Sequence, residues 1–367
     1  MDAAAEHEEK LERVRRIARD GGFDGVLLAA HHNIAWLTSG RGNRIDASRE
    51  AGTARLLVTA DGRRFVLANA IEMPRLLDEA LAGLDYLPIE YPWTDDQDPS
   101  FAVGAARKVL GTAALAADWP LPETTGVEQR LMRARVQLTD GELDRYRALG
   151  RDAGIALGHL ARALKPGDVE LEIARRMADA AASFRARAIV ALVGSDDRLR
   201  HYRHPVPTET SWQHVVMLAL CAERDGLVVS LSRIVAKGGP GDLEARTRAT
   251  ASVFGRVLEA TRPGATAPQL YATLAGAYKD AGFPSEELKH HQGGAIGYRA
   301  REWVAHPRSQ EVVQERQAFA WNPTITGTKI EDTALVIGND IEIITSTPGW
   351  PSIELGNHVH ASDICRI

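Results

Sequence analysis

Four histidines lie in two short segments whose neighbours make them candidates for proton transfer. His201 and His204 belong to Arg198-Leu199-Arg200-His201-Tyr202-Arg203-His204-Pro205, a cation-dense loop that should attract an anionic or carbonyl-bearing ligand. His290 and His291 precede Gln292-Gly293-Gly294, where the missing side chains would let backbone approach a ligand closely. Imidazole titrates near neutrality, so it can take and return a proton, help worth ~10²–10⁴-fold. The same nitrogens suit zinc or iron, so His201, His204, His290 and His291 also make an alternative metal site. Glu331-Asp332 stands between Ile330 and Ala334-Leu335-Val336. A carboxylate at the start of a buried strand must be paired, hydrogen-bonded or functional. Its structural alternative is a strand-end salt bridge to an arginine. Glu302, inside Arg299-Ala300-Arg301-Glu302, reads as half of a solvated ion pair.

The elements that position these residues form a phrase written twice. Leu160 to Ala178 carries a helical run, Lys165-Pro166-Gly167-Asp168, then Leu171, Ile173 and Ala174 at helical spacing. Leu258 to Ala281 repeats it around Arg262-Pro263-Gly264, with Leu270, Tyr271 and Leu274 following. Each copy precedes one histidine segment, which implies two similar halves with a cleft between them. Thr139-Asp140-Gly141-Glu142 has capping-box spacing and should start a helix that runs to about Ala163. Strands are expected at Ala188 to Val193, Val215 to Ala222, Gly226 to Val235, Ala318 to Ile325 and Thr333 to Ile337. Ahead of this lies an α/β pattern: a helix Glu6 to Gly21, a strand Gly25 to Ala30, more sheet at Ile34 to Leu37, and a hairpin Ala54 to Val66 turning at Ala60-Asp61-Gly62.

Composition narrows the function classes. The chain has 367 residues, 44% hydrophobic and 25% charged, with a net charge of −5. That is ordinary for a globular protein of two or three domains, and it carries no basic block for nucleic acid. No apolar run is long enough to span a bilayer, and Met1 to Lys10 is too polar for a signal peptide. Cys221 and Cys365 are the only cysteines and form no CxxC pair. The expectation is a cytoplasmic protein without disulfides, membrane anchor or nucleic-acid partner.

Several motifs together resemble a known family. They are Asn33-Ile34-Ala35-Trp36-Leu37-Thr38-Ser39-Gly40, the junction Leu131-Met132-Arg133-Ala134-Arg135 with Asp140-Gly141-Glu142, the twin Pro-Gly phrases, and Ile330-Glu331-Asp332-Thr333-Ala334-Leu335-Val336 before Gly338. Over nearly its whole length the chain resembles the pita-bread family of methionine aminopeptidase, Xaa-Pro aminopeptidase, prolidase and the metal-free creatinase. The resemblance implies an α+β protein: a creatinase-like α/β N-terminal domain over 1–132 and a pseudo-twofold pita-bread domain over 133–367.

The family's peptidases hold two metal ions with two Asp, one His and two Glu. The matching positions here are Ala219, Ser230, Gly294, Asn322 and Glu331, so only Glu331 keeps a carboxylate. The resemblance therefore implies no metal and no cofactor, and points toward creatinase, which hydrolyses a C–N bond with a histidine. Both His201 and His204 match parts of that histidine's context, with His204-Pro205-Val206 the closer phrase. His290 matches a substrate-facing histidine, and Glu331 would tune the base or bind a cationic nitrogen. Arg233, Arg299 and Arg301 are candidates to clamp a substrate carboxylate. Ser230, His291, Tyr298 and Asn322 complete the candidate substrate-binding set. Creatinase also borrows residues from its partner's N-terminal domain, so a homodimer is expected with Arg41 and Arg44 near the partner's site. The resulting expectation is a metal-independent C–N hydrolase, or a lyase, for a small carboxylate-bearing substrate. A non-catalytic binding module and a metalloenzyme with a new ligand set are the alternatives.

Overall fold

The computed structural model describes residues 3–367 apart from 43, 99, 112–113 and 356–359. The chain divides into two compact units: 1–135 with 139–142, and 136–138 with 143–367.

The first unit is built on a six-stranded sheet. Its strands run in the order Leu87–Tyr91, Arg64–Asn69, Ala51–Thr59, Gly25–Ala30, Leu115–Ala117, Thr125–Gly126. Ala51–Thr59 and Arg64–Asn69 form the expected hairpin, and Gly62 supplies the positive φ of +101° in its turn. Leu27, Leu57, Leu67 and Phe65 on this sheet pack with Val103 and Ala106 of helix Phe101–Leu110.

Ile34 to Leu37 departs from the expectation of more sheet: it lies in the helix His31–Leu37. Asn33 explains the change. Its amide donates to Asp118 Oδ2 at 2.9 Å and Glu128 Oε2 at 2.6 Å, while Arg135 donates to Asn33 Oδ1 at 2.6 Å. Those partners lie far along the chain, so local pattern could not report them.

Thr139 and Glu142 exchange the two bonds of the capping box, at 2.7 and 3.2 Å, and start helix Asp140–Arg162. In the second unit both Pro-Gly phrases adopt the same geometry. Gly167, at φ +99°, donates its N–H to Trp212 O at 2.8 Å. Gly264, at φ +91°, donates to Val313 O at 2.9 Å. Helices Glu170–Ser183 and Ala267–Asp280 follow them. Each phrase is also latched by one isolated bridge, Val169 to Ser211 and Thr266 to Val312.

Two sheets make the centre of this unit. One runs Ile364–Arg366, Leu227–Ala236, Val215–Arg224, Arg187–Ser195; the other runs Trp303–Val304, Gly293–Ile296, Gln317–Trp321, Asp332–Ile337, Asp340–Ile343. Leu227–Ala236 is buried along its whole length, as an apolar strand packed on both faces must be. The sheets join where Ser232 N–H donates to Glu331 O at 3.0 Å and Thr333 Oγ1 donates to Ser230 O at 2.9 Å. Gly293 and Gly294 serve this packing. A Cβ on either would lie 2.2 Å from a carbonyl oxygen, of Ala320 and Trp303 respectively. The close approach expected from a ligand is made by neighbouring strands. No helix among the described residues is long and apolar enough to cross a membrane.

Candidate functional site

A cavity of about 320 Å³ opens within the second unit. Val190, Leu192, Ala219 and Leu220 give it an apolar wall; His204, His291, Arg301, Asn322, Lys329 and Glu331 give it a polar one. The apolar wall comes from two paired strands that place Leu192 opposite Ala219.

Glu331 is the centre of the polar wall. Its Oε2 takes Lys329 Nζ at 2.8 Å and the Ser232 hydroxyl at 2.8 Å, and its Oε1 takes Arg301 Nη2 at 3.1 Å. Burial pushes this carboxyl up, but the two cations and the two hydrogen bonds on Oε2 outweigh it and bring the pKa down to about 2. Glu331 is thus an anion at every working pH, and its two cations exceed its charge by one. Two polar atoms beside it are unspent among the described residues: the buried Nε–H of Arg301 and the buried Oδ1 of Asn322. Cys221 also lines the cavity, with its Sγ 2.9 Å from Ser230 Oγ. Burial raises its thiol pKa, so it stays protonated.

The two histidine segments converge at the same place. Arg203 reaches across from the first segment to Glu286 at 2.8 Å and Thr326 Oγ1 at 2.7 Å. Pro205 packs onto Gly194, where a Cβ would meet Pro205 Cγ at 2.4 Å; only glycine leaves room for it. These contacts bring His204 Nε2 to 2.9 Å from His290 Nε2, with the His290 and His291 rings 4.6 Å apart. Each of His204, His290 and His291 offers a nitrogen within 4.8 Å of the others'. Burial lowers all three pKa values, assisted by Lys329 at His204 and His290 and by Arg301 at His291; His290 falls to about 2 and His291 to about 4. All three rings are neutral at pH 7 and keep a lone pair for a proton or an electrophile.

The remaining candidates separate clearly. His201 does not join the cluster. It is exposed on the short helix Arg198–His201 and donates Nδ1–H to Asp197 O at 2.8 Å. Arg233 does not face the cavity either. It is buried, and it donates to Thr347 Oγ1, Ser232 O, Asp332 Oδ1 and Thr345 O. Four of its five N–H groups are engaged inside the fold, so it is the structural salt bridge expected of an Asp-bearing strand end. Tyr298 is buried and donates its N–H to Glu302 Oε1 at 3.0 Å, a bond that holds the turn between them. Ser230 sits behind the cavity against Cys221, 3.4 Å from Arg301 Nη1. Arg299 lies in the segment before Arg301 but does not line the cavity. Arg41 and Arg44 belong to the first unit, where Arg41 donates to Ala82 O at 2.5 Å.

Sequence reasoning missed Lys329, Ser232 and Thr324. A signal existed for Lys329: a lysine in Thr328-Lys329-Ile330-Glu331, otherwise a buried strand approach, needs an anion nearby.

Comparison with known proteins bears on the family and the fold. A family model described as metallopeptidase family M24 matches residues 144–343. Similar solved structures include an Xaa-Pro dipeptidase from Bacillus anthracis, at 20% identity and TM-score 0.79, over 98% of this chain and 100% of that one. A prolidase from Pyrococcus horikoshii aligns over 92% of this chain and 98% of its own, at 18% identity and TM-score 0.78. The N-terminal domain of FACT complex subunit SPT16 from Cicer arietinum aligns over 94% and 96%, at 11% identity and TM-score 0.70. At these identities the likeness is one of fold. No curated protein matches the chain in sequence.

Proposed function

The chain belongs to metallopeptidase family M24, and from that premise we propose that it hydrolyses a C–N bond of a small carboxylate-bearing substrate without the family's metal pair. The observation that carries the reading is the state of Glu331. Two divalent ions held by a shared hydroxide need several anionic oxygen ligands. The residues at the family's ligand positions offer a methyl group, a hydroxyl, a glycine backbone, an amide and one carboxylate, and that carboxylate is occupied by Lys329 and Arg301. This donor set does not fit the pair, and no step runs through it.

The site's own chemistry supports another route. The excess positive charge of Lys329 and Arg301, with the free Nε–H of Arg301, suits a substrate carboxylate. The free Oδ1 of Asn322 suits a substrate N–H beside it. His204, neutral and lining the cavity, is the general base in this reading, and His201 is not. It takes a proton from water as the water oxygen bonds to the substrate carbon, then returns that proton to the departing nitrogen as the C–N bond breaks. Lyase chemistry would use the same base without the water. A homodimer in which Arg41 and Arg44 serve a partner's cavity belongs to the same proposal.

Release of amine or ammonia from a panel of N-acyl, amidino and guanidino acids, beside Xaa-Pro dipeptides, tests it. The expected result is cleavage that survives EDTA and is lost in His204→Ala and Glu331→Gln. Cleavage of Xaa-Pro dipeptides only after adding Mn²⁺ or Co²⁺ would overturn the reading. So would substrate binding without turnover, which marks a binding module.

A further inference from the structure

The bonds that lead away from His204 decide which of its nitrogens holds the proton. The carbonyl of Asn322 receives one hydrogen bond among the described residues, from Thr324 Oγ1 at 3.0 Å. The single hydroxyl proton of Thr324 is therefore spent, and its oxygen can only accept from His290 Nδ1, 3.1 Å away. His290 is neutral, so a proton on Nδ1 leaves Nε2 bare. That bare nitrogen lies 2.9 Å from His204 Nε2, a separation at which two lone pairs would repel. His204 Nε2 must carry the proton and donate it, which leaves Nδ1 of His204 unprotonated.

The frame behind this chain is buried and hydrogen-bonded. Tyr278, fully buried, accepts the N–H of Thr324 at 2.8 Å and donates to Gln292 Oε1 at 2.5 Å; Gln292 Nε2 then donates to His290 O. The two ends of the chain are thus held by one side-chain bridge. The alternative, a transition ion held by the three imidazoles, must form beside Lys329 and Arg301. Those cations face the cluster with Glu331 to offset one of the two charges, and they repel a cation while favouring a proton chain between neutral rings.

We propose that Thr324 and His290 are positioning residues that lock His204 in its Nε2–H tautomer and leave Nδ1 as the proton-accepting atom; this rests on the reading of His204 as the general base. His290, expected from the sequence to be catalytic, then acts only through His204. The arrangement does for His204 what a carboxylate does for the histidine of a hydrolase triad, with a threonine and a second imidazole in its place.

Long-range ¹H–¹⁵N spectra of the protein with ¹⁵N-labelled histidine, assigned with His204→Ala and His290→Ala, read the tautomers directly. The expected wild-type spectrum has His204 protonated at Nε2 and His290 at Nδ1. In Thr324→Val, an isosteric change, His204 should become a tautomer mixture, and Thr324→Ser should restore one form. If Thr324→Val fails to fold, His290→Ala carries the same expectation for His204 from a half-exposed site. On any substrate found by the cleavage panel, both variants should lose roughly 10- to 100-fold in kcat with KM held. A wild-type His204 protonated at Nδ1 overturns the proposal, as does a His204 spectrum unchanged in a folded variant. Signals from both rings that change when EDTA removes a bound metal overturn it too. The two readings fail separately. The expected tautomers with an active His204→Ala protein would sink the base and spare the lock; the opposite tautomer with an inactive His204→Ala protein would do the reverse.

Discussion

Glu331 and Asp332 are chain neighbours, both buried, yet they serve opposite faces of one strand entry. Alternation along extended backbone sends their side chains apart, and it does the same to Ser232 and Arg233 on the strand alongside. Ser232 therefore meets Glu331, and Arg233 meets Asp332, at 2.8 and 3.0 Å. The Asp332 face is closed: Arg233, Thr345 and Ser362 fill its bonds. The Glu331 face opens on the cavity, and its two cations sit beside unspent polar atoms. The two carboxyl pKa values move in opposite directions. Burial raises the Asp332 pKa against the pull of a single cation, while the cations of Lys329 and Arg301 overcome burial at Glu331. The same desolvation yields a structural pair where one cation answers it, and a charged site where two do.

The largest effect that tests this contrast is on folding. Asp332→Ala strands a buried guanidinium and should cost about 3–5 kcal/mol in denaturant melts, with cleavage by the remaining folded protein intact. A variant that kept its stability would show that Arg233 is satisfied without Asp332. Glu331→Gln should do the opposite, lowering turnover by at least about 10²-fold while the melt shifts less than for Asp332→Ala. Equal melting losses for the two would erase the distinction between the faces. Gly194→Ala is expected to cost about 1–3 kcal/mol, because Pro205 has nowhere to go, and to impair turnover by displacing His204. Full activity in that variant would show that the Pro205 contact does not place the base.

The smallest effect is in acid. Glu331 has a folded pKa of about 2, below its ordinary 4.5, so its contribution is fully present above pH 4.5 and is lost as pH falls toward 2. Stability measured across that window should fall less steeply in Glu331→Gln than in the wild type. Parallel curves would mean that the two cations do not hold the carboxylate as described.

Much of the architecture was legible in the chain. The Pro-Gly phrases located two halves because proline and glycine fix a turn locally, and Gly167 and Gly264 adopt nearly the same φ. The strands around Val215 and Leu227 were legible because a β-rich apolar run has few other stable placements. Ile34 to Leu37 misled for the reason that it is short, and Asp118 and Glu128 decide its state from far along the chain. His204 and Glu331 were legible as types in a context. The sequence shows Arg233 as a cation on a buried strand, but not that it turns to Asp332 and away from the cavity.

By itself the sequence determined the repeated helix–turn–helix plan, the alternation that puts Glu331 and Asp332 on different faces, and the residue types Ala219, Ser230, Gly294 and Asn322 at four of the five positions where the family resemblance would place metal ligands. Those properties are carried by residue type and near spacing. Only the tertiary structure decided that Lys329 and Arg301 occupy Glu331, that His204 and not His201 joins His290, and that Arg233 is already engaged. A buried polar group takes whichever partner the fold brings within about 3 Å. For these residues that partner comes mostly from another strand or loop, and no local pattern contains it.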